Sequence, residues 1–228
     1  MKTVTWLSAH DAPEWFPPPE HALEDPPGLL AAGGDLSPER LLAAYRRGIF
    51  PWYSPGQPVL WWSPDPRAVL FPEEFRCSRS LAKTLRNGGF TTAIDRDFAA
   101  VIDGCAAPRA ASPGTWITSE MRSAYLELHR LGYAHSIETW RQGALAGGLY
   151  GVRLGGVFFG ESMFSIARDA SKVALAHLIA VCQRNSIVVI DCQLYSRHLA
   201  SLGARTIPRS RFQALLAEQV AQSASPLG

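Results

Sequence analysis

Neither sign of charge dominates this chain: 22 Lys and Arg stand against 20 Asp and Glu, a formal net charge of +2. A protein that coats nucleic acid shows a larger excess. If this one touches RNA, it grips a small part of it through a local patch. The four cysteines, Cys77, Cys105, Cys182 and Cys192, form no C-x-x-C pair, and no His stands at zinc spacing from them. Reduced thiols are therefore expected rather than a metal site or a disulfide framework. No apolar run approaches membrane-spanning length. Met-Lys-Thr-Val-Thr-Trp-Leu-Ser-Ala-His at the start lacks the apolar core and cleavage site of a signal peptide. A cytoplasmic location is expected. Gly147-Gly-Leu-Tyr-Gly151 lacks P-loop spacing, and no Ser sits in a nucleophile elbow.

What is present is apolar and aromatic. Hydrophobic residues make up 47% of the 228, enough to bury a sizeable core. Residues 13 to 66 are dense in Pro, Gly and Trp, including Phe16-Pro-Pro-Pro19, Phe50-Pro-Trp52 and Trp61-Trp-Ser-Pro-Asp-Pro66. Such stiff connectors and turns suggest a small N-terminal domain over 1–66. Within it, Ser37 as cap, Pro38 in the first turn and Leu41, Leu42 and Tyr45 at helical spacing predict a helix ending at Gly48. From residue 67 to 228 a larger domain is expected. Ala68–Phe71 reads as a strand, Ser80–Arg86 as a short basic helix and Phe98–Cys105 as a helix. Thr118 caps another helix with Met121, Ala124, Tyr125 and Leu128 on one face. Three strands follow over 134–140, 144–153 and 156–165. Next come a helix begun by Asp169 or Ser171, a buried strand over 186–192 and a helix over 211–222. Helices mixed with mainly antiparallel strands predict an α+β fold.

Three polar side chains interrupt apolar strand sequence. Glu161 follows Val157-Phe-Phe-Gly160, and Asp191 ends Ile187-Val-Val-Ile190 with Gln193 two residues on. Alternation would put Asp191 and Gln193 on one face. A buried carboxylate needs a donor or a ligand. A site would supply one, and so would a structural arginine. Trp52, Trp61, Trp62 and Trp116 lie in rigid loop-like sequence, where an indole can stack on a base or plug the core. Arg67, Arg76, Arg79, Lys83 and Arg86 lie close in sequence with only Glu73 and Glu74 opposing, and the last three share a helical face, as a phosphate patch or an ordinary solvated surface.

Taken together, Pro27-Gly-Leu-Leu-Ala-Ala-Gly-Gly-Asp-Leu-Ser-Pro38, Arg47-Gly-Ile-Phe-Pro-Trp52, Leu60-Trp-Trp-Ser-Pro-Asp-Pro-Arg67, Gly114-Thr-Trp-Ile-Thr118, Gly160-Glu-Ser-Met-Phe-Ser165 and Ile190-Asp-Cys-Gln193 resemble the leucyl/phenylalanyl-tRNA–protein transferase family. The resemblance runs from about residue 15 to 215. It implies a small N-terminal domain beside a GNAT-like (acyl-CoA N-acyltransferase-like) catalytic domain. It implies transfer of Leu or Phe, and Met less well, from aminoacyl-tRNA to the α-amine of proteins beginning with Arg or Lys, marking them for N-end-rule degradation. No cofactor, metal or membrane is implied. The resemblance places catalysis on Glu161, Asp191 and Gln193: Gln193 contacting the amine, Asp191 orienting it, and Glu161 holding the acceptor or the 3′ ribose. It places the donor against Trp52, Trp116, Leu149, Phe158, Met163, Leu175 and Leu178. Phe158 and Met163 share a face only if Gly160 marks a bulge. The acceptor end of the tRNA would meet Arg76, Arg79, Lys83 and Arg86. An acetyl-coenzyme A-dependent GNAT N-acetyltransferase is the alternative, against which stands the lack of an Arg/Gln-x-x-Gly-x-Gly/Ala pyrophosphate loop. A non-catalytic tRNA-binding module is a third reading.

Overall fold

The computed structural model describes residues 3–8, 10–107, 117–221 and 227. Its first sheet is built from β1 (Thr5–Leu7), β2 (Leu29–Gly33), β3 (Phe50–Pro51) and β4 (Leu60–Trp62), in the order β1-β2-β4-β3. α1 (Pro38–Arg46) packs beside β3, with the Ser37 hydroxyl accepting from the Arg40 N–H. Pro38 suits a first turn whose N–H groups have no partner, and Gly48 at φ +69° follows the helix where only a left-handed residue fits. Trp61 is the core plug of this sheet: it is fully buried, and its indole N–H donates to the Gly33 carbonyl at 2.9 Å.

The second sheet has seven strands: β5 (Arg67–Leu70), β6 (Phe90–Ile94), β7 (Ala134–Arg141), β8 (Ala144–Leu154), β9 (Val157–Ser165), β10 (Val189–Gln193) and β11 (Arg205–Ile207). Their order is β11-β5-β10-β9-β8-β7-β6. Neighbours run antiparallel except β9 and β10, which are parallel. A parallel pair needs a crossover, and α5 (Ala170–Arg184) provides it. α5 and α2 (Arg79–Asn87) meet over one face, around Leu149, Phe158, Leu175 and Leu178. α3 (Phe98–Ala106), α4 (Ser119–Arg130) and α7 (Arg209–Gln219) contribute to the opposite core with Tyr45, Tyr150 and Phe159. α6 (Arg197–Ser201) is a single turn after β10. The α+β class is borne out. Residues 1–66 and 67–228 carry one sheet each, while one buried cluster runs through both, from Leu7 and Trp61 to Phe159 and Phe212.

Two details depart from simple patterning. Asp169 precedes α5 in the left-handed region at φ +67° and caps nothing with its side chain; instead the Ser165 hydroxyl accepts from the Ser171 N–H at 2.8 Å. In β9, Gly160 pairs with Gly151 and Ser162 with Tyr150, so Glu161 is an extra residue. This bulge inverts the alternation: Phe158 and Met163, an odd number of positions apart, both pack on the α5 side. Gly151 is required beside it, because a Cβ there would stand 2.2 Å from the Phe159 carbonyl oxygen and 2.5 Å from the Phe158 ring.

Gly151→Ala should therefore destabilise the protein by at least about 1–3 kcal/mol, the range for overpacking a core. Urea unfolding measures this, and a midpoint equal to that of the unsubstituted protein would show that the bulge can relax.

Candidate active site

The ladder between β9 and β10 stops at Phe159 and Asp191, and just beyond it the three interrupting polar side chains come into one place: Glu161 midway along β9, and Asp191 and Gln193 at the end of β10. Asp191 is fully buried against Arg67 of β5. Arg67 Nε donates to Asp191 Oδ1 at 2.8 Å and Nη2 to Oδ2 at 2.6 Å, a two-pronged pair that matches the guanidinium fork. The third arm, Nη1, donates to the Gly48 carbonyl at 3.0 Å, and the guanidinium carbon lies 4.9 and 4.8 Å from the Phe50 and Phe212 ring centroids. The structural-arginine reading thus holds for Asp191. It does not exhaust that carboxylate, because Oδ1 also accepts the Gln193 backbone N–H at 3.0 Å.

That contact explains the shape of the strand end. Register shifts between Asp191 and Gln193 against β5, and Gln193 sits at φ +54°. A side chain at positive φ is uncommon and held there by its surroundings. Strict alternation therefore fails here. Asp191 turns into the core, while the Gln193 amide Nε2 reaches Glu161 Oε1 at 3.4 Å.

Glu161, on the bulge, is half-buried. Tyr45 of α1 donates to its Oε1 and Tyr125 of α4 to its Oε2, both at 2.8 Å, and the two hydroxyls lie 2.5 Å apart. Two opposing effects act on this carboxyl. Burial favours the neutral acid, while the tyrosine hydrogen bonds favour the anion. Burial wins, and its pKa is pushed up to about 7. Burial, with the nearby carboxylate second, raises both tyrosines well above the ordinary phenol value, so both keep their protons. Both tyrosines read from sequence as members of apolar helical stripes; nothing there announces that their hydroxyls meet a glutamate 116 and 36 residues away.

Two cavities flank this group. One, of about 230 Å³, is walled by Leu149, Met163, Leu175, Leu178 and Ile190, with Ser196, His198 and Leu199 along one side. The other, of about 240 Å³, is formed by Phe50, Pro51, Trp52 and Leu194. Glu161, Cys192 and Gln193 belong to both. Burial raises the Cys192 thiol, which disfavours a thiolate nucleophile between the cavities.

Of the residues expected at the donor site, Leu149, Met163, Leu175 and Leu178 line the first cavity. Phe158 is wholly buried behind that wall, in the same cluster. Trp52 lines the second cavity, is 42% exposed, and stands edge-on to Trp62 with its carbonyl accepting the Trp62 indole N–H. Trp116 lies outside the described residues. Arg76, Arg79, Lys83 and Arg86 are all exposed, the last three on α2. A larger hollow, about 1090 Å³, lies between β1, the 53–59 turn and the start of α4. Its Asp35 is tied to Arg40 and the Ser37 N–H. None of the four cysteines is in a disulfide. Among the described residues no helix is long and apolar enough to cross a membrane.

Comparison with known proteins places the chain. A family model described as leucyl/phenylalanyl-tRNA protein transferase matches residues 69–217, and the model of that family's N-terminal domain matches 34–65. A leucyl/phenylalanyl-tRNA–protein transferase of Stutzerimonas stutzeri (strain A1501) is 58% identical over 214 residues, covering 94% of each chain. One from Methylococcus capsulatus is 57% identical and covers 98% of this chain and 95% of its own. One from Chromohalobacter salexigens is 61% identical, covering 92% and 81%. Among solved structures, a GCN5-related N-acetyltransferase from Kribbella flavida is 12% identical with a TM-score of 0.41, covering 74% of this chain and 60% of that one. L-PGS from Bacillus licheniformis is 12% identical with a TM-score of 0.39, covering 72% and 55%. At these scores the structural likeness is remote.

Removing one member of the buried ion pair strands the other charge. Arg67→Met should cost about 3–5 kcal/mol of stability, and adding Asp191→Leu should restore much of it. Equal losses in the single and double variants, by chemical denaturation, would show that the pair's charges are not what the fold responds to.

Proposed function

The chain belongs to the leucyl/phenylalanyl-tRNA–protein transferase family, and on that premise we propose that its two cavities hold its two substrates. The aminoacyl side chain of a charged tRNA enters the apolar cavity of Leu149, Met163, Leu175 and Leu178. The acceptor's N-terminus enters the cavity beside Trp52. The observation that carries this reading is that the cavities meet only over Glu161, Cys192 and Gln193. A bond formed between their contents forms there.

The reaction is aminolysis of an ester. The neutral α-amine attacks the aminoacyl carbonyl, a C–N bond forms, and the bond from that carbon to the 3′ oxygen breaks. The proton shed by the amine ends on the departing oxygen. An α-amine titrates near pH 8, so a useful fraction is already neutral and positioning supplies much of the rate. Gln193 contacts the amine with its side-chain amide. Asp191, clamped by Arg67, acts on the amine through Gln193, whose N–H it holds. Glu161, facing both cavities, gives the cationic acceptor a counter-charge. That suits an N-terminal Arg or Lys. Trp52, on the wall of the second cavity, flanks the acceptor's N-terminus. Arg76, Arg79, Lys83 and Arg86 take phosphates of the acceptor end. Residues 1–66 form a small domain that lends Tyr45 and Trp52 to the catalytic domain of 67–228.

An apolar wall without polar partners rejects polar side chains through desolvation and discriminates apolar ones by shape. With labelled aminoacyl-tRNAs and a peptide beginning with Arg, label should pass from Leu and Phe, less from Met and little from Val, Ile or Asp. Acetyl-coenzyme A should give no product. Equal transfer from Asp-tRNA would remove the donor assignment, and acetylation in place of aminoacyl transfer would remove the reaction.

The pH profile tests Glu161. Its carboxyl, raised to about 7, loses its charge as pH falls through that value, while the acceptor amine protonates below about 8. Log kcat/KM for the peptide should fall with slope one between these values and steepen below 7. Glu161→Gln should lower activity and abolish only the steeper limb. A steeper limb that persists in Glu161→Gln would assign it to another group.

A further inference from the structure

The segment from Gln193 to Leu199 forms the rim shared by the two cavities. Leu194 lines the second, and Ser196, His198 and Leu199 line the first. Between them Tyr195 projects outward, 61% exposed, on the turn that leads into α6. An exposed phenol at the mouth of a cleft does nothing for the core. Its neighbours are cationic. Arg197 is exposed and has no ion-pair partner among the described residues. Lys172 lies close enough to depress His198, after the larger effect of burial, so His198 presents an uncharged ring nitrogen at neutral pH. The acid facing this group is Asp169, which binds Lys172 at 2.8 Å and Arg168 at 3.7 Å and so leaves that trio one net positive charge. Glu161 lines both cavities beneath the rim, with its oxygens accepting from its two tyrosines.

Resting on the assignment of the apolar cavity to the aminoacyl group, we infer that Tyr195, with Arg197, His198 and Lys172, is a second RNA-binding site. It takes the unpaired nucleotides that precede the tRNA's terminal adenosine. The aminoacyl ester must sit at Gln193, so the strand leading to it passes over the rim. There an aromatic face can stack a base of any identity, and the flanking cations meet its phosphates. The same charges disfavour the alternative occupant, the acceptor protein, whose first residues are cationic. This surface is separate in sequence from the exposed cations of α2. It adds a contact that a donor consisting of the terminal nucleoside alone cannot make.

That difference is the test. The donors are intact Leu-tRNA, Leu-tRNA lacking the base next to its terminal adenosine, and leucyl-adenosine; the protein is the full chain. Tyr195→Ala should lower kcat/KM for intact Leu-tRNA by about 5- to 150-fold, the loss of one base–aromatic stack. Tyr195→Trp should retain it, and Arg197→Ala should lower it in a salt-dependent manner. All three should use leucyl-adenosine within about twofold of the unsubstituted enzyme, as expected for a contact outside the reacting atoms. Removing the base should weaken the unsubstituted enzyme by the Tyr195→Ala factor and weaken Tyr195→Ala little further. Losses that are equal for leucyl-adenosine, that follow the acceptor peptide rather than the donor, or that add to base removal would overturn the site. Absence of any transfer from Leu-tRNA by the unsubstituted enzyme would instead overturn the function on which it rests.

Discussion

The buried pair of Arg67 and Asp191 is the contact on which the site's geometry depends. In energy it is no asset by default. Taking both charges out of water costs several kcal/mol per ion, and the two-pronged geometry does little more than offset that. Its value is in what it fixes. The pair is also committed elsewhere: one guanidinium arm to the Gly48 carbonyl, its faces to Phe50 and Phe212, and one carboxylate oxygen to the Gln193 N–H. Four separate segments therefore converge on one point. The last of these contacts holds Gln193 in a backbone conformation that a side chain rarely adopts. Without it the bulge at the end of β10 has no reason to close in that shape, and the Gln193 amide would not be aimed at Glu161.

Glu161 shows the opposite balance. Among the described residues it has no cationic partner within bonding reach; its oxygens are met by neutral hydroxyls and the Gln193 amide. Two hydroxyl donors offset part of the desolvation, and the Arg67 and Asp191 charges act on it in opposite directions. What remains is a carboxyl poised near neutrality and facing both cavities. A guanidinium in the tyrosines' place would have held it ionised and occupied. The pair of phenols keeps the carboxylate's outward side open to a ligand. The β-bulge is the backbone device that turns it there without disturbing the apolar face that Phe158 and Met163 share.

Much of this was legible in the sequence, and the rest was not for identifiable reasons. Ser37, Thr118 and Pro38 marked helix starts because capping is local chemistry. Glu161, Asp191 and Gln193 stood out because polar side chains in apolar strands are conspicuous. Their partners did not. Arg67 lies 124 residues from Asp191, and it sat among other arginines with nothing to set it apart. The bulge at Glu161 was foreseeable only as a condition, through the glycine beside it. β6 (Phe90–Ile94), with its two threonines and half-exposed burial, carries too little alternation to be read as a strand. α6 is one turn long, below the window in which a helical period can be recognised.

The near-neutral composition fits the task once both substrates are considered. One is a polyanion, and the proposed other carries a cationic side chain beside an α-ammonium. A strongly basic face would draw in the first and repel the second. At 10 Å in water two unit charges interact by only about 0.4 kcal/mol, and salt screens them further beyond a Debye length of about 8 Å. Attraction and repulsion can thus coexist on one small protein if the charges are placed locally. The exposed cations of α2 and of the rim near Tyr195 face solvent, whereas Arg67, buried under the site, is neutralised by Asp191 before it can oppose an incoming amine. The buried ion pair therefore serves electrostatics as well as geometry. It lets an arginine organise the end of β10 while leaving Glu161 as the charge that the proposed acceptor would meet.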